Sequence, residues 1–145
     1  MTDELKDRIA VLMLSILPFY HKKIFRSGHC ATGVQAAQYR VLWVLVREGI
    51  LPMSELGKQL YISKPYMSTL VDQLIRDGYV ERIPDTRDRR VININITPAG
   101  SKHLQRAGVE YRSDIKTLLS DLNDNDLEDL CQSLEKMHSI FAKIN

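Results

Sequence analysis

The chain is short of the residues that enzymes and disulfide-stapled proteins depend on. Its 145 residues include only two cysteines, Cys30 and Cys131, far apart in sequence. They make neither a disulfide framework nor a thiolate metal spacing, and they fit a reducing interior, so a cytoplasmic location is expected. The four histidines, His21, His29, His103 and His138, are scattered. No Ser-His-Asp order, no H-E-x-x-H helix and no glycine-rich phosphate loop occurs, so an enzyme is not expected. Long apolar runs are missing too. The run from Ile9 to Tyr20, IAVLMLSILPFY, is too short to span a bilayer and follows the acidic opening MTDELKDR instead of a basic one. It reads as a helix buried between subunits, and no membrane partner is expected. There is no internal repeat and no low-complexity segment. What remains, 44% hydrophobic and 26% charged, is one globular domain with enough apolar material for a core.

A net charge of +2 does not by itself announce a polyanion-binding protein, but the charge is unevenly placed. Residues 1–112 hold 17 basic and 11 acidic side chains, an excess of +6, whereas residues 113–145 hold 3 and 7, an excess of −4. Any contact with a polyphosphate therefore belongs to the middle of the chain. Apolar positions Leu5, Ile9, Leu12, Ile16 and Phe19 recur at helical spacing from Asp3 to about Arg26, with Pro18 placed to bend or divide that helix. Further helices are predicted over about Gln35–Arg47, Met53–Leu60 and Lys64–Asp77, joined by short connections. Gly57 lowers helix propensity, so a small residue there predicts close approach of another helix.

The fourth of these helices is the best punctuated. Ser63 can cap its N-terminus, Pro65 suits the first turn, and Gly78 can take the left-handed position past its end. Met67, Leu70, Val71, Leu74 and Ile75 form a one-sided apolar stripe. The opposite face, with Lys64, Tyr66, Ser68, Thr69 and Gln73, is rich in side chains able to hydrogen-bond base edges. Two β-branched runs follow, YVERI and VININI, and between them sits PDTRDRR from Pro84 to Arg90. In the second run Ile92, Ile94 and Ile96 alternate with asparagines, as in a half-buried strand. Short helix, tight turn, one-sided helix and basic-tipped hairpin together make the order of a winged helix-turn-helix. In such a fold the second helix enters the major groove while the wing reaches the flanking minor groove or phosphates. Arginine suits a narrow minor groove, and Asp88 is placed to hold one of the arginines in a fixed pose.

From about Gly33 to Gly100 the chain resembles the MarR family of winged-helix transcriptional regulators. The carriers are QAAQYRVLWVL, MSELGKQLYISKPYMSTLVDQLIRDGYVER and DTRDRRVININITPAG, the last being the most specific. The resemblance implies a mainly α fold: a winged helix-turn-helix with a small β-hairpin wing, flanked by N- and C-terminal helices that form a dimerisation region. It also implies a division into residues 1–32 (dimerisation helix and loop), 33–97 (DNA-binding lobe) and 98–145 (dimerisation helices) within a single compact chain. Base reading is carried over to Lys64, Pro65, Tyr66, Ser68 and Thr69, with Gln73 further along the same face; groove or phosphate contact goes to Arg87, Asp88, Arg89 and Arg90. The sequence departs from the family pattern at Asp85-Thr86, where Asp-Pro is frequent, and at Tyr66, where a small residue is common.

The C-terminal part points to self-association on its own account. Thr97-Pro98 starts one helix and Asn123 with Asp126 opens another. Leu127, Leu130, Leu134, Met137 and Phe141 then repeat at steps of three and four, a seam that either packs on the first helix of its own chain or meets a second copy. With Ile9, Leu12 and Ile16 of the first helix they are the expected dimerisation residues. A two-fold dimer would present its recognition helices to successive major grooves of double-stranded DNA, so a pseudo-palindromic operator is expected. No cofactor is expected. The resemblance implies a small aromatic or phenolic anion as effector, and Tyr20, Phe25, Tyr39, Trp43 and Tyr111 are candidates to line its cleft, against the simpler reading that each is core. Two other readings stand beside repression: a winged-helix docking module for another protein, which should centre on exposed aromatics, and a thiol or metal sensor built on His29 and Cys30. Cys131 lies beside the apolar seam and reads as packing.

Overall fold

In the computed structural model, residues 1–24 and 33–144 are described. Eight elements of the described chain form the lobe and its flanks: α2 (Gly33–Glu48), β1 (Leu51–Pro52), α3 (Met53–Leu60), α4 (Lys64–Arg76), β2 (Val80–Pro84), β3 (Ile92–Ile96), α5 (Pro98–Leu118) and α6 (Asp124–Phe141). They follow α1 (Thr2–Phe19), which passes into a π-helical turn over Tyr20–Ile24. Pro18 sits inside α1 without ending it. A proline withholds one helical N–H, and the helix leaves regular α geometry two residues later.

Helix starts obey the local rules. The Ser63, Thr97 and Asn123 side chains accept hydrogen bonds from the backbone N–H of Tyr66, Gly100 and Asp126 respectively, which caps α4, α5 and α6. Helices α3 and α4 end alike, in paired backbone bonds closed by a left-handed residue. For α4 that residue is Gly78 at φ +78°, and for α3 it is Tyr61 at φ +53°. A residue with a Cβ takes up that conformation at a cost of about 1–2 kcal/mol.

The three strands form an antiparallel sheet in the order β1-β3-β2, with Val80 opposite Ile96 and Pro84 opposite Ile92. Strand β1, which pairs Leu51 with Ile94, is an element the sequence pattern does not announce, because two residues carry no periodicity. The core lies in the central lobe: Val41, Leu42 and Leu45 of α2, Leu56 of α3, Met67, Val71 and Leu74 of α4, and Ile94 of β3 are all buried. Each such side chain contributes about 1.5–3 kcal/mol through burial. By contrast, α1 and α6 contain no buried residue.

Two glycines shape the lobe. A Cβ at Gly57 would meet the Ile62 carbonyl oxygen at 3.3 Å. The close approach predicted there comes first from the turn after its own helix, and next from the Met67 side chain of α4 at 3.9 Å. A Cβ at Gly100 would overlap the Tyr79 carbonyl oxygen. The start of α5 is thereby pressed against the base of the hairpin, where Thr97 donates its hydroxyl to the Gly78 carbonyl at 2.6 Å and its N–H to the Tyr79 carbonyl at 3.0 Å.

Candidate nucleic-acid interface

Burial of Met67, Leu70, Val71 and Leu74 fixes the roll of α4 about its axis, with Ile75 half-buried at the edge of the stripe. The opposite face is thereby turned outward: Lys64, Pro65, Tyr66, Thr69, Asp72 and Arg76 are exposed. Not all the polar side chains expected there are free to read a groove. Gln73 is half-buried and accepts a bond of 3.2 Å from the Gln38 amide of α2. Ser68 is half-buried beside the Met53 sulfur, and the Thr69 hydroxyl donates back to the Pro65 carbonyl. Lys64 and Tyr66, at the N-terminal end, stay exposed.

The hairpin between β2 and β3 is closed by two backbone bonds, Asp85 N–H to the Val91 carbonyl and Val91 N–H to the Asp88 carbonyl. Within it the Asp88 carboxylate accepts from Arg90 three times: from the backbone N–H at 3.0 Å, from Nε at 3.2 Å and from Nη2 at 3.2 Å. The Arg90 guanidinium first, and then its backbone N–H, hold the Asp88 carboxyl below the usual aspartate range. Although tethered, the Arg90 side chain is 91% exposed. Arg87 and Arg89 are exposed and have no partner among the described residues. Two aspartates at a basic tip thus have different surroundings, and only Asp88 acts as a clasp. A connection that local sequence pattern does not announce is the pair of Arg82 of β2 with Asp72 on the outward face of α4, which ties the wing to that helix. Lys64 and Arg90 meet across a cleft of about 450 Å³ between α3, the start of α4 and the wing, floored by Met53, Ile62, Met67 and Val91.

The candidate effector residues divide. Tyr39 and Tyr111 meet edge to face at 4.7 Å and line a cleft of about 310 Å³ with Tyr79 and His103, whose rings stack at 4.2 Å. Trp43 does not join them; it is exposed on α2 beneath the Arg47 guanidinium, 4.6 Å from its ring centre. Tyr20 lies against Phe19 at the end of α1, while Phe25, His29 and Cys30 fall outside the described residues. Among the described residues no three His, Cys, Asp or Glu side chains converge as a metal site, and no helix is long and apolar enough to cross a membrane. Ile9, Leu12, Ile16, Leu130, Leu134, Met137 and Phe141 are exposed, Leu127 is half-buried, and Cys131 is exposed beside Glu135.

A helical pair closed by a tight turn, with the outward face of the second helix beside an arginine-tipped hairpin, defines a winged helix-turn-helix protein. Known proteins make the class specific. Residues 32–91 match the model of the MarR family. The transcriptional repressor YetL of Bacillus subtilis is 28% identical over 96 residues, 65% of this chain and 58% of that protein, so the match spans little more than half of its length. The transcriptional activatory protein BadR of Rhodopseudomonas palustris is 28% identical over 129 residues, 86% of this chain and 73% of that protein. Among solved structures, the transcriptional regulator BldR of Sulfolobus solfataricus superposes with a TM-score of 0.67 at 26% identity, covering 92% of this chain and 96% of that one. Over residues 32–91 the chain is similar to the MarR family, and the relatives named here carry the names of a transcriptional repressor, a transcriptional activatory protein and a transcriptional regulator.

Proposed function

We propose that the chain is a sequence-specific regulator of transcription that binds double-stranded DNA as a homodimer in the cytoplasm, represses by occluding a promoter, and is released by a small aromatic or phenolic anion. The observation that carries this reading is the wing: Asp88 clasps Arg90 while Arg87 and Arg89 stand exposed and unpaired among the described residues. Arginine held in a defined pose beside an outward-facing helix suits groove and phosphate contact better than a generic solvated turn. In this reading Lys64 and Tyr66 read bases and Arg87, Arg89 and Arg90 reach the flanking groove. Repression is the sign adopted because a dimer seated across a promoter blocks it; the printed names of the relatives include both a repressor and an activatory protein.

The dimer is supported by α1 and α6, whose apolar side chains, Leu127 apart, stand largely exposed among the described residues. Residues 1–32 and 98–145 then form the dimerisation region around the lobe of residues 33–97. The effector is assigned to the cleft of Tyr39, Tyr111, Tyr79 and His103, where α2 and α5 meet at the edge of that lobe. A ligand acts there if it favours a spacing of the two recognition helices that mismatches successive grooves, about 34 Å apart. Nuclease footprinting on the DNA upstream of the gene for this chain tests the reading: protection of a pseudo-palindrome is expected, and uniform cleavage at saturating protein contradicts it.

A further inference from the structure

Helices α3 and α4 close with the same pair of bonds and differ in one residue. In α4 the Tyr79 N–H reaches the Leu74 carbonyl at 2.9 Å and the Gly78 N–H the Ile75 carbonyl at 3.0 Å. In α3 the Ile62 N–H reaches the Gly57 carbonyl at 3.0 Å and the Tyr61 N–H the Lys58 carbonyl at 3.3 Å. Both need a left-handed residue, for which glycine is the favoured choice. Tyr61 is the one non-glycine residue with positive φ among the described residues, and it is 95% exposed. Its side chain has no hydrogen-bond or ring partner among them. A tyrosine that neither packs nor pairs, in a conformation that disfavours it, contributes nothing visible to the fold and points to a role outside it.

Its surroundings indicate what it meets. Tyr61 lies two residues before Ser63, the N-cap of α4, at the end of that helix assigned to the groove. Lys58, one turn earlier, and Lys64, just beyond, are exposed and have no ion-pair partner among the described residues. Both lysines and Arg90 line the cleft between α3 and the wing. An exposed phenol three residues from each of two exposed lysines is complementary to a phosphodiester, which offers acceptors and negative charge at the spacing of a strand.

We propose that Tyr61 is a DNA-backbone contact, its hydroxyl donating to a phosphate oxygen of the strand that passes the N-terminal end of α4. The assignment rests on the DNA-binding reading above. Two properties set this contact apart. It positions without reading sequence, so its loss weakens natural and unrelated DNA alike. Being neutral, it releases no counterion, so its loss leaves the dependence of affinity on salt unchanged.

The test is fluorescence anisotropy of the full chain on the duplex upstream of its own gene and on a shuffled duplex, from about 50 to 200 mM salt. Tyr61→Phe is expected to bind both duplexes roughly tenfold more weakly at an unaltered salt slope. Lys58→Ala, for comparison, should lower the slope by about 0.9. Tyr61→Gly should lose at least as much affinity as Tyr61→Phe while unfolding at the same temperature as the parent or higher. Wild-type affinity in Tyr61→Phe overturns the contact, as does a loss confined to the natural duplex. A clear fall in the unfolding temperature of Tyr61→Gly would reassign the tyrosine to the fold. Should the parent chain bind neither duplex, the DNA-binding reading falls and takes this contact with it.

Discussion

Asp88 accepts three hydrogen bonds from a single neighbour, Arg90, and this lets a wing rich in arginine hold one guanidinium still while two others have no partner among the described residues. Arg89→Ala should weaken DNA binding while leaving thermal unfolding unchanged, and Arg90→Ala should weaken it with at most a small change in unfolding, since the Asp88–Arg90 clasp it removes is exposed. Unaltered affinity in both variants would remove the wing from the mechanism. The clasp has a pH signature as well. Because the folded carboxyl titrates below its ordinary value, the Asp88 contribution is fully present above the unfolded value of about 3.9 and is lost as pH falls through the lower folded value. The wing should therefore keep its conformation across the neutral range and loosen only in acid. An NMR titration placing the Asp88 carboxyl at or above the ordinary aspartate value would contradict the clasp.

At the scale of elements, the wing is held at both ends: by the Arg82–Asp72 pair to α4, and by Thr97 and Gly100 to the start of α5. Gly100 leaves no space for a side chain against the Tyr79 carbonyl. Gly100→Ala should cost about 2–3 kcal/mol, read as a drop of roughly 5–10 °C in unfolding temperature, because a packed backbone has to shift. Retention of the parent temperature would show that the helix start yields freely. Much of this was legible beforehand, since caps, turn glycines and alternating strands are written in neighbouring residues: Ser63, Thr97, Asn123, Gly78 and Ile94 stand as their local chemistry predicts. What escaped depends on distant partners. Gln73 looks like any outward polar residue until Gln38 takes its amide oxygen, and Arg82 looks like a strand residue until Asp72 lies opposite. Tyr61 falls in the short connection between two helices, and its backbone handedness cannot be seen in a residue whose type argues against it.

For the whole molecule, the distribution of burial matters more than its amount. A buried lobe stands between two helices, α1 and α6, that present Ile9, Leu12, Ile16, Leu130, Leu134 and Phe141 to solvent within one chain. Exposed apolar surface of this extent marks an interaction site, and two-fold pairing of copies is the simplest closed arrangement that covers it. Leu134→Asp should dissociate the homodimer, and sedimentation that still shows a dimer would take the α6 seam out of the interface. The acidic C-terminal segment fits the same layout, for it places negative charge in the proposed dimerisation region and leaves the basic excess in the rest of the chain, which includes the wing. The measurement that bears most directly on the account is the affinity of the parent chain for the duplex upstream of its own gene relative to a shuffled duplex, at two salt concentrations. The account predicts a preference of ~10³-fold or more, with affinity falling as salt rises. Weak and equal binding to both duplexes would contradict it.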